Sequence, residues 1–172
     1  IYSVDTTYYT NVGYNGDPTI KRMQSINFKT NGSITKKIIF YNDGKTKSSE
    51  VNYIEGSLSG LMTTFYSTGE LYSKQTYIDG KIEGEYISFY KKGNKSCITN
   101  YKAGKPDGKQ IVFSAHGDTS DIANYRDGSQ EWKLSYTYLN GKISTKITYK
   151  DGLRNGPTIL YHENGNVKYT CS

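Results

Sequence analysis

The stretch YIDGKIEGEYISFYKKGN, Tyr77 to Asn94, sets a run of β-branched and aromatic residues, Glu85 to Tyr90, between two turn signals, IDGK and KKGN. A second extended run, Lys95 to Tyr101, follows the KKGN turn and ends on another tyrosine. The unit is a β-hairpin. No apolar stripe at i, i+3, i+4, i+7 is long enough for a helix, and a turn punctuates the chain every 11 to 13 residues, which excludes helices.

The pattern recurs in both directions. Tyr53, Tyr77, Tyr101, Tyr125 and Tyr149 are spaced 24 residues apart, in phase with Gly56, Gly80, Gly104, Gly128 and Gly152 and with Gly69, Gly93, Gly117, Gly141 and Gly165. Five repeats follow, at 53–76, 77–100, 101–124, 125–148 and 149–172. Upstream, 26–52 reads as a degenerate copy, one residue short, in which Phe28 and Gly32 take the Tyr and first Gly roles and Phe40, Tyr41 and Gly44 form the strand end and turn. Residues 1–25, with Tyr8, Tyr9, Gly13, Gly16 and Pro18, read as a terminal strand and turn that caps the array. The whole, 1–172, is expected to be a single all-β repeat domain. Its expected form is an elongated antiparallel β-meander of hairpins, about ten strands from Tyr53 onward, folded as a twisted single-layer sheet.

A register follows if STGE-type turns take four residues and IDGKIE-type turns take six. Tyr77 then faces both Gly60 and Gly84, and Tyr101 faces both Gly84 and Gly108, so each ring covers the bare backbone of the glycines beside it. In this reading Tyr53, Tyr77, Tyr101, Tyr125 and Tyr149, with Gly60, Gly84, Gly108 and Gly156, are the structural residues of the repeat. Phe65, Phe89 and Phe113 share one face with Ile87, Ile98, Ile111 and Ile122. Met62, Tyr66, Tyr86, Tyr90 and Val112 share the other.

The fourth copy departs from the rule. Trp132 stands where the other copies have Gly60, Gly84, Gly108 and Gly156, while Ser135 and Thr137 replace the Ile and Phe columns. Leu134, Tyr136 and Tyr138 enrich the opposite face, so the apolar side is expected to switch. Either the drift is repacked locally or Trp132, Leu134, Tyr136 and Tyr138 form a binding hot spot, Trp being enriched among interface anchors.

Composition narrows the function. Apolar residues make up 34% of the chain and 18 residues are tyrosine, so the core must be thin and aromatic. The net charge of +6 is almost all lysine, with Arg22, Arg126 and Arg154 scattered; without a basic stripe, nucleic acid is a poor fit as partner. His116 and His162 fall in or beside turns with no second ligand at metal spacing, and Asp79, Asp107, Asp127 and Asp151 are turn residues without a calcium-loop pattern. No nucleophile or phosphate-loop motif occurs, so neither an enzyme nor a cofactor is expected. Cys97 and Cys171, three repeats apart, are expected to be too distant to pair. Asn31 and Asn94 begin tripeptides of the N-glycosylation type, which are common by chance. A start at Ile1 suggests trimming, with a secreted or cell-envelope location expected and a cytoplasmic one as the alternative.

The pattern Y-x-D-G-K-x-x-G-x-x-x-x-F/Y-Y-x-x-G-x, cleanest from Tyr77 and traceable over 26–172, resembles the MORN (membrane occupation and recognition nexus) repeat. More narrowly it resembles the bacterial variant found in YwqK-like antitoxin proteins. Trp132 and the Phe28 copy depart from the motif. The resemblance implies antitoxin or immunity roles, cell-surface roles, or membrane association and scaffolding, and carries over no defined binding residues. The leading expectation is a non-enzymatic module for a protein partner. Peripheral attachment to anionic membrane, a structural spacer role, and self-assembly through an edge strand or terminus are the alternatives.

Overall fold

A computed structural model describes residues 1–12, 18–135 and 142–171. Every regular element among them is a β-strand: β1 (Tyr2–Val12), β2 (Pro18–Thr30), β3 (Ser33–Phe40), β4 (Lys47–Ile54), β5 (Ser57–Phe65), β6 (Leu71–Ile78), β7 (Lys81–Phe89), β8 (Lys95–Lys102), β9 (Lys105–Phe113), β10 (Thr119–Arg126), β11 (Ser129–Ser135), β12 (Thr145–Lys150), β13 (Leu153–Tyr161) and β14 (Val167–Cys171). The chain forms two compact units, Ile1–Lys81 and Ile82–Ser172. Within each, strands pair antiparallel with their sequence neighbours, the meander expected of hairpin repeats. Gly13 and Gly16 of the N-terminal reading lie outside the described residues; Pro18 opens β2.

Two kinds of turn build the hairpins. The STGE type is a three-residue loop: Gly69 N–H donates to Tyr66 O (2.9 Å) and Tyr66 N–H to Glu70 O (2.8 Å), with Gly69 at φ +99°. The same pair of bonds recurs at Tyr90–Asn94, Ser114–Asp118 and His162–Asn166. Past a one-residue bulge beside this loop, the strands adopt the register expected of a four-residue turn, with Gly60 opposite Tyr77 and Gly84 opposite Tyr101. Gly108 likewise lies opposite Tyr125.

The other turn corrects an expectation. It spans two residues instead of six: Ile54 pairs with Ser57, Lys102 with Lys105, Arg126 with Ser129 and Lys150 with Leu153. Both turn residues have positive φ, as at Asp127 (+48°) and Gly128 (+88°), which defines the type I′ hairpin whose twist matches that of the strands. The tyrosine therefore faces not the second glycine of its own hairpin but the residue two before it: Tyr53 lies opposite Leu58, Tyr101 opposite Pro106 and Tyr149 opposite Arg154.

The residues left over by the shorter turn form a bulge. Asn52 opposes Ser59, Gly60 and Leu61; Asn100 opposes Asp107, Gly108 and Lys109; Thr148 opposes Asn155, Gly156 and Pro157. The glycine sits at its centre with φ of +92°, +96° or +104°, a conformation that a bulky residue adopts only under strain. This is why glycine is needed there. A Cβ on Gly60 would meet Asn52 Cβ at 3.5 Å and no tyrosine ring, so ring coverage is not the cause. The asparagine binds a carbonyl that the bulge releases: Asn52 Nδ2 donates to Leu61 O (2.7 Å) and Asn100 Nδ2 to Lys109 O (3.2 Å).

The packed face is polar. Ser25, Asn27, Ser49, Val51, Ser73 and Gln75 are buried in the first unit, and Ser88, Thr99 and Ala123 in the second, while Ile87 is buried on the opposite face. Hydroxyls pair across strands, as Thr7 with Ser25 and Thr64 with Ser73, each at 2.6 Å. In the second unit Tyr125 OH donates to Gln110 Oε1 (3.5 Å) and Gln110 Nε2 to Thr99 Oγ1 (3.0 Å). The repeat tyrosines are half-buried against this face instead of being displayed as an exposed column. Tyr101, for example, meets Tyr86 edge to face at 6.3 Å. Tyrosines after the Phe column tie one repeat to the next: Tyr41 OH donates to Phe65 O (2.6 Å) and Tyr90 OH to Phe113 O (2.8 Å). Cys97 and Cys171, on β8 and β14, are both free thiols.

Candidate functional site

Hairpins with a glycine at the bulge carry two extra residues; hairpins without one carry a single extra residue. In β2–β3 the extra residue is Thr35, between the pairs Lys29–Ile34 and Phe28–Lys36. In β10–β11 it is Glu131, between Tyr125–Gln130 and Asn124–Trp132. Trp132 is not among the residues with positive φ. An indole side chain in the glycine conformation would be strained, and the hairpin avoids this by losing one bulge residue.

The shorter bulge advances β11 by one residue against both neighbours. Trp132 lies opposite Thr148, and Lys133 opposite Ile147. Because side chains alternate with period two, a one-residue slip exchanges the faces of β11. Leu134 thereby joins the isoleucine column, and Ile87, Ile98, Ile111, Ile122 and Leu134 oppose one another in turn across five strands. The apolar side does not switch: the slip offsets the switch written in the sequence.

A second consequence appears at the hairpin tips. After a glycine bulge, the tip of one hairpin is tied to that of the next: Gly80 N–H donates to Leu58 O (2.8 Å), Gly104 N–H to Ile82 O (3.0 Å) and Gly128 N–H to Pro106 O (2.8 Å). No such bond joins Gly152 to Gln130, and the β11–β12 ladder ends at Trp132 and Thr148. Between the untied tips lies a cleft of about 390 Å³, lined by Arg126, Asp127, Ser129, Gln130 and Glu131 from one tip and by Tyr149, Lys150 and Asp151 from the other. Arg126 Nε donates to Glu131 Oε1 (2.9 Å), and Asn124 Nδ2 to Glu131 Oε2 (2.7 Å). Lys105 holds Asp127 at 2.8 Å. The cleft carries both signs of charge on its walls.

On the other side of β11, Asp121 is engaged by Ser135 Oγ (2.6 Å) and Lys133 Nζ (3.0 Å). Burial opposes ionisation of Asp121, but the hydrogen bonds from Ser135 and Lys133 outweigh it and hold the carboxyl below the ordinary aspartate range. Burial raises the Tyr125 phenol above its ordinary value. Among the described residues, no three His, Cys, Asp or Glu side chains gather into a cation site.

The structure brings Trp132 and Leu134 together on one face of β11, both half-buried. Tyr136 and Tyr138 lie outside the described residues. The cleft residues Gln130, Glu131, Tyr149 and Lys150 escaped sequence reasoning. Their only signal was the missing glycine at Trp132.

This architecture defines a β-hairpin-repeat protein. The family model for the MORN repeat variant matches residues 58–79 and 154–172, which span β5–β6 and most of β13–β14, and supports reading the chain as a MORN-repeat protein. Such repeats are generally non-enzymatic modules that bind proteins or membranes. No curated protein matches the chain.

Proposed function

We propose that this chain is a non-enzymatic interaction module that binds another protein, as an antitoxin-like or immunity-type neutraliser or as a binding protein of the bacterial cell surface. The observation that carries the reading is the cleft at β11–β12, the place in the second unit where an anchor-type residue replaces the repeat's glycine and the tips come apart. The test is affinity capture from the source organism, followed by titration of the captured partner against Trp132→Ala and Leu134→Ala. A loss of tenfold or more supports the reading, and unchanged affinity removes this site from it.

A second reading rests on the tips themselves. Lys102, Arg126 and Lys150 occupy the same position before successive type I′ turns, and Leu153, opposite Lys150, is 74% exposed. Basic residues near an anionic bilayer contribute about 1 kcal/mol each, and salt screens the attraction. Flotation with phosphatidylserine vesicles at low and high salt tests it. The absence of salt-sensitive binding would sink this alternative.

A further inference from the structure

We infer that the cleft between the β10–β11 and β12–β13 tips is a slot for one extended segment of a partner polypeptide, held by main-chain hydrogen bonds to β11 and β12. This rests on the interaction reading above and names its mode.

Ser129 and Gln130 pair with β10, and Tyr149 and Lys150 pair with β13, so each segment has a strand partner on one side only. Their other edges belong to β11 and β12, the two strands whose ladder stops at Trp132 and Thr148. Elsewhere in the second unit, as between β9 and β10, the ladder reaches the repeat tyrosine, Tyr125, and a tip bond closes the end. The opening therefore leaves main-chain donors and acceptors that only solvent or an added strand can satisfy. Adding a strand to such an edge is an established mode of peptide recognition.

Size and charge narrow the occupant. From Thr148 to Lys150 the open edge of β12 runs two residues, about 7 Å at roughly 3.3 Å per residue, suited to a short extended segment. Arg126 is already engaged by Glu131 and Asp127 by Lys105, while Lys150 and Asp151 set opposite charges on the second tip. Walls of mixed sign suit the alternating dipoles of a peptide and select against a polyanion.

The test pans a phage-displayed pool of random dodecapeptides on the whole chain. The best binders are then synthesised with and without N-methylation at alternate amides. Amide exchange read by NMR should slow at Gln130 or Tyr149, whose main-chain groups point into the opening, when the peptide binds, and N-methylation should weaken binding tenfold or more. Trp132→Gly, which permits the two-residue bulge and the missing tip bond, should protect the Gly152 amide and lower peptide affinity by a similar factor. Failure to enrich any binder, protection confined to other residues, or equal affinity of the N-methylated peptide overturns the slot. A cellular partner whose binding is lost in Trp132→Ala but is not displaced by the peptides leaves the interaction reading standing and removes only this inference.

Discussion

Trp132 lies opposite Thr148, one residue short of the Tyr149 that the repeat rule assigns to it. The glycines at the same position in other copies do obey the rule, Gly60 opposite Tyr77 and Gly108 opposite Tyr125. The difference is local in origin. Glycine allows a bulge centred on positive φ, tryptophan does not, and the lost bulge residue shifts the strand. Lys36, at the corresponding place in β3, comes with the same single-residue bulge and lies opposite Asn52.

The glycine argument predicts that Gly108→Val is destabilising out of proportion to its size. A β-branched residue at φ +96° costs about 1–3 kcal/mol, a fall in Tm of roughly 2–4 °C per kcal/mol in a chain of this length. The substitution should also free the Gly128 amide from Pro106 O, seen as faster exchange at Gly128 with Gly80 unaffected. Fast exchange at both would show general loosening instead.

Much of this was legible in the sequence. Turn glycines bounding short β-branched and aromatic runs identify the hairpin, and period-two alternation places Phe65, Phe89 and Phe113 on one face with Ile87 and Ile111. The length of the second turn was not legible. Gly80 and Gly84 stand four residues apart, and nothing in their spacing says whether they share one wide turn or serve a tight turn and a bulge. The fate of the fourth copy was hidden for a related reason. The pattern of β11 read alone puts Leu134 on the wrong face, because its register is set by φ at a single residue and not by hydrophobicity.

Tyr90→Phe isolates the clamp between repeats. It deletes the donor to Phe113 O (2.8 Å) while keeping the ring, so the expected loss is about 0.5–1.5 kcal/mol, measured by urea unfolding. A loss below that range would mean that solvent serves Phe113 O equally well.

Ala103 begins a type I′ turn at φ +50°, the position filled elsewhere by Asn31, Glu55, Asp79, Asp127 and Asp151. Alanine is disfavoured there by about 1–2 kcal/mol, whereas asparagine tolerates it. Ala103→Asn should therefore stabilise the chain by up to about 1 kcal/mol, read as a higher urea midpoint at unchanged slope. A lower midpoint would contradict the turn assignment.

The Asp121 carboxyl, lowered in the folded state, makes stability depend on acid. The unfolded chain binds the proton more readily, so the contribution is present above the ordinary aspartate value near 3.8 and is lost as pH falls through the lower folded value. Ser135→Ala removes one of the bonds that lower it and should reduce the stability lost between pH 5 and pH 2. An unchanged pH dependence would show that the Ser135 bond does not act on ionisation.

The slip of β11 is tested most directly by cross-strand nuclear Overhauser contacts in the isotope-labelled chain. The account predicts backbone contacts joining Trp132 to Thr148, Lys133 to Ile147 and Leu134 to Ile122, whereas contacts joining Trp132 to Tyr149 and Lys133 to Thr148 would contradict it.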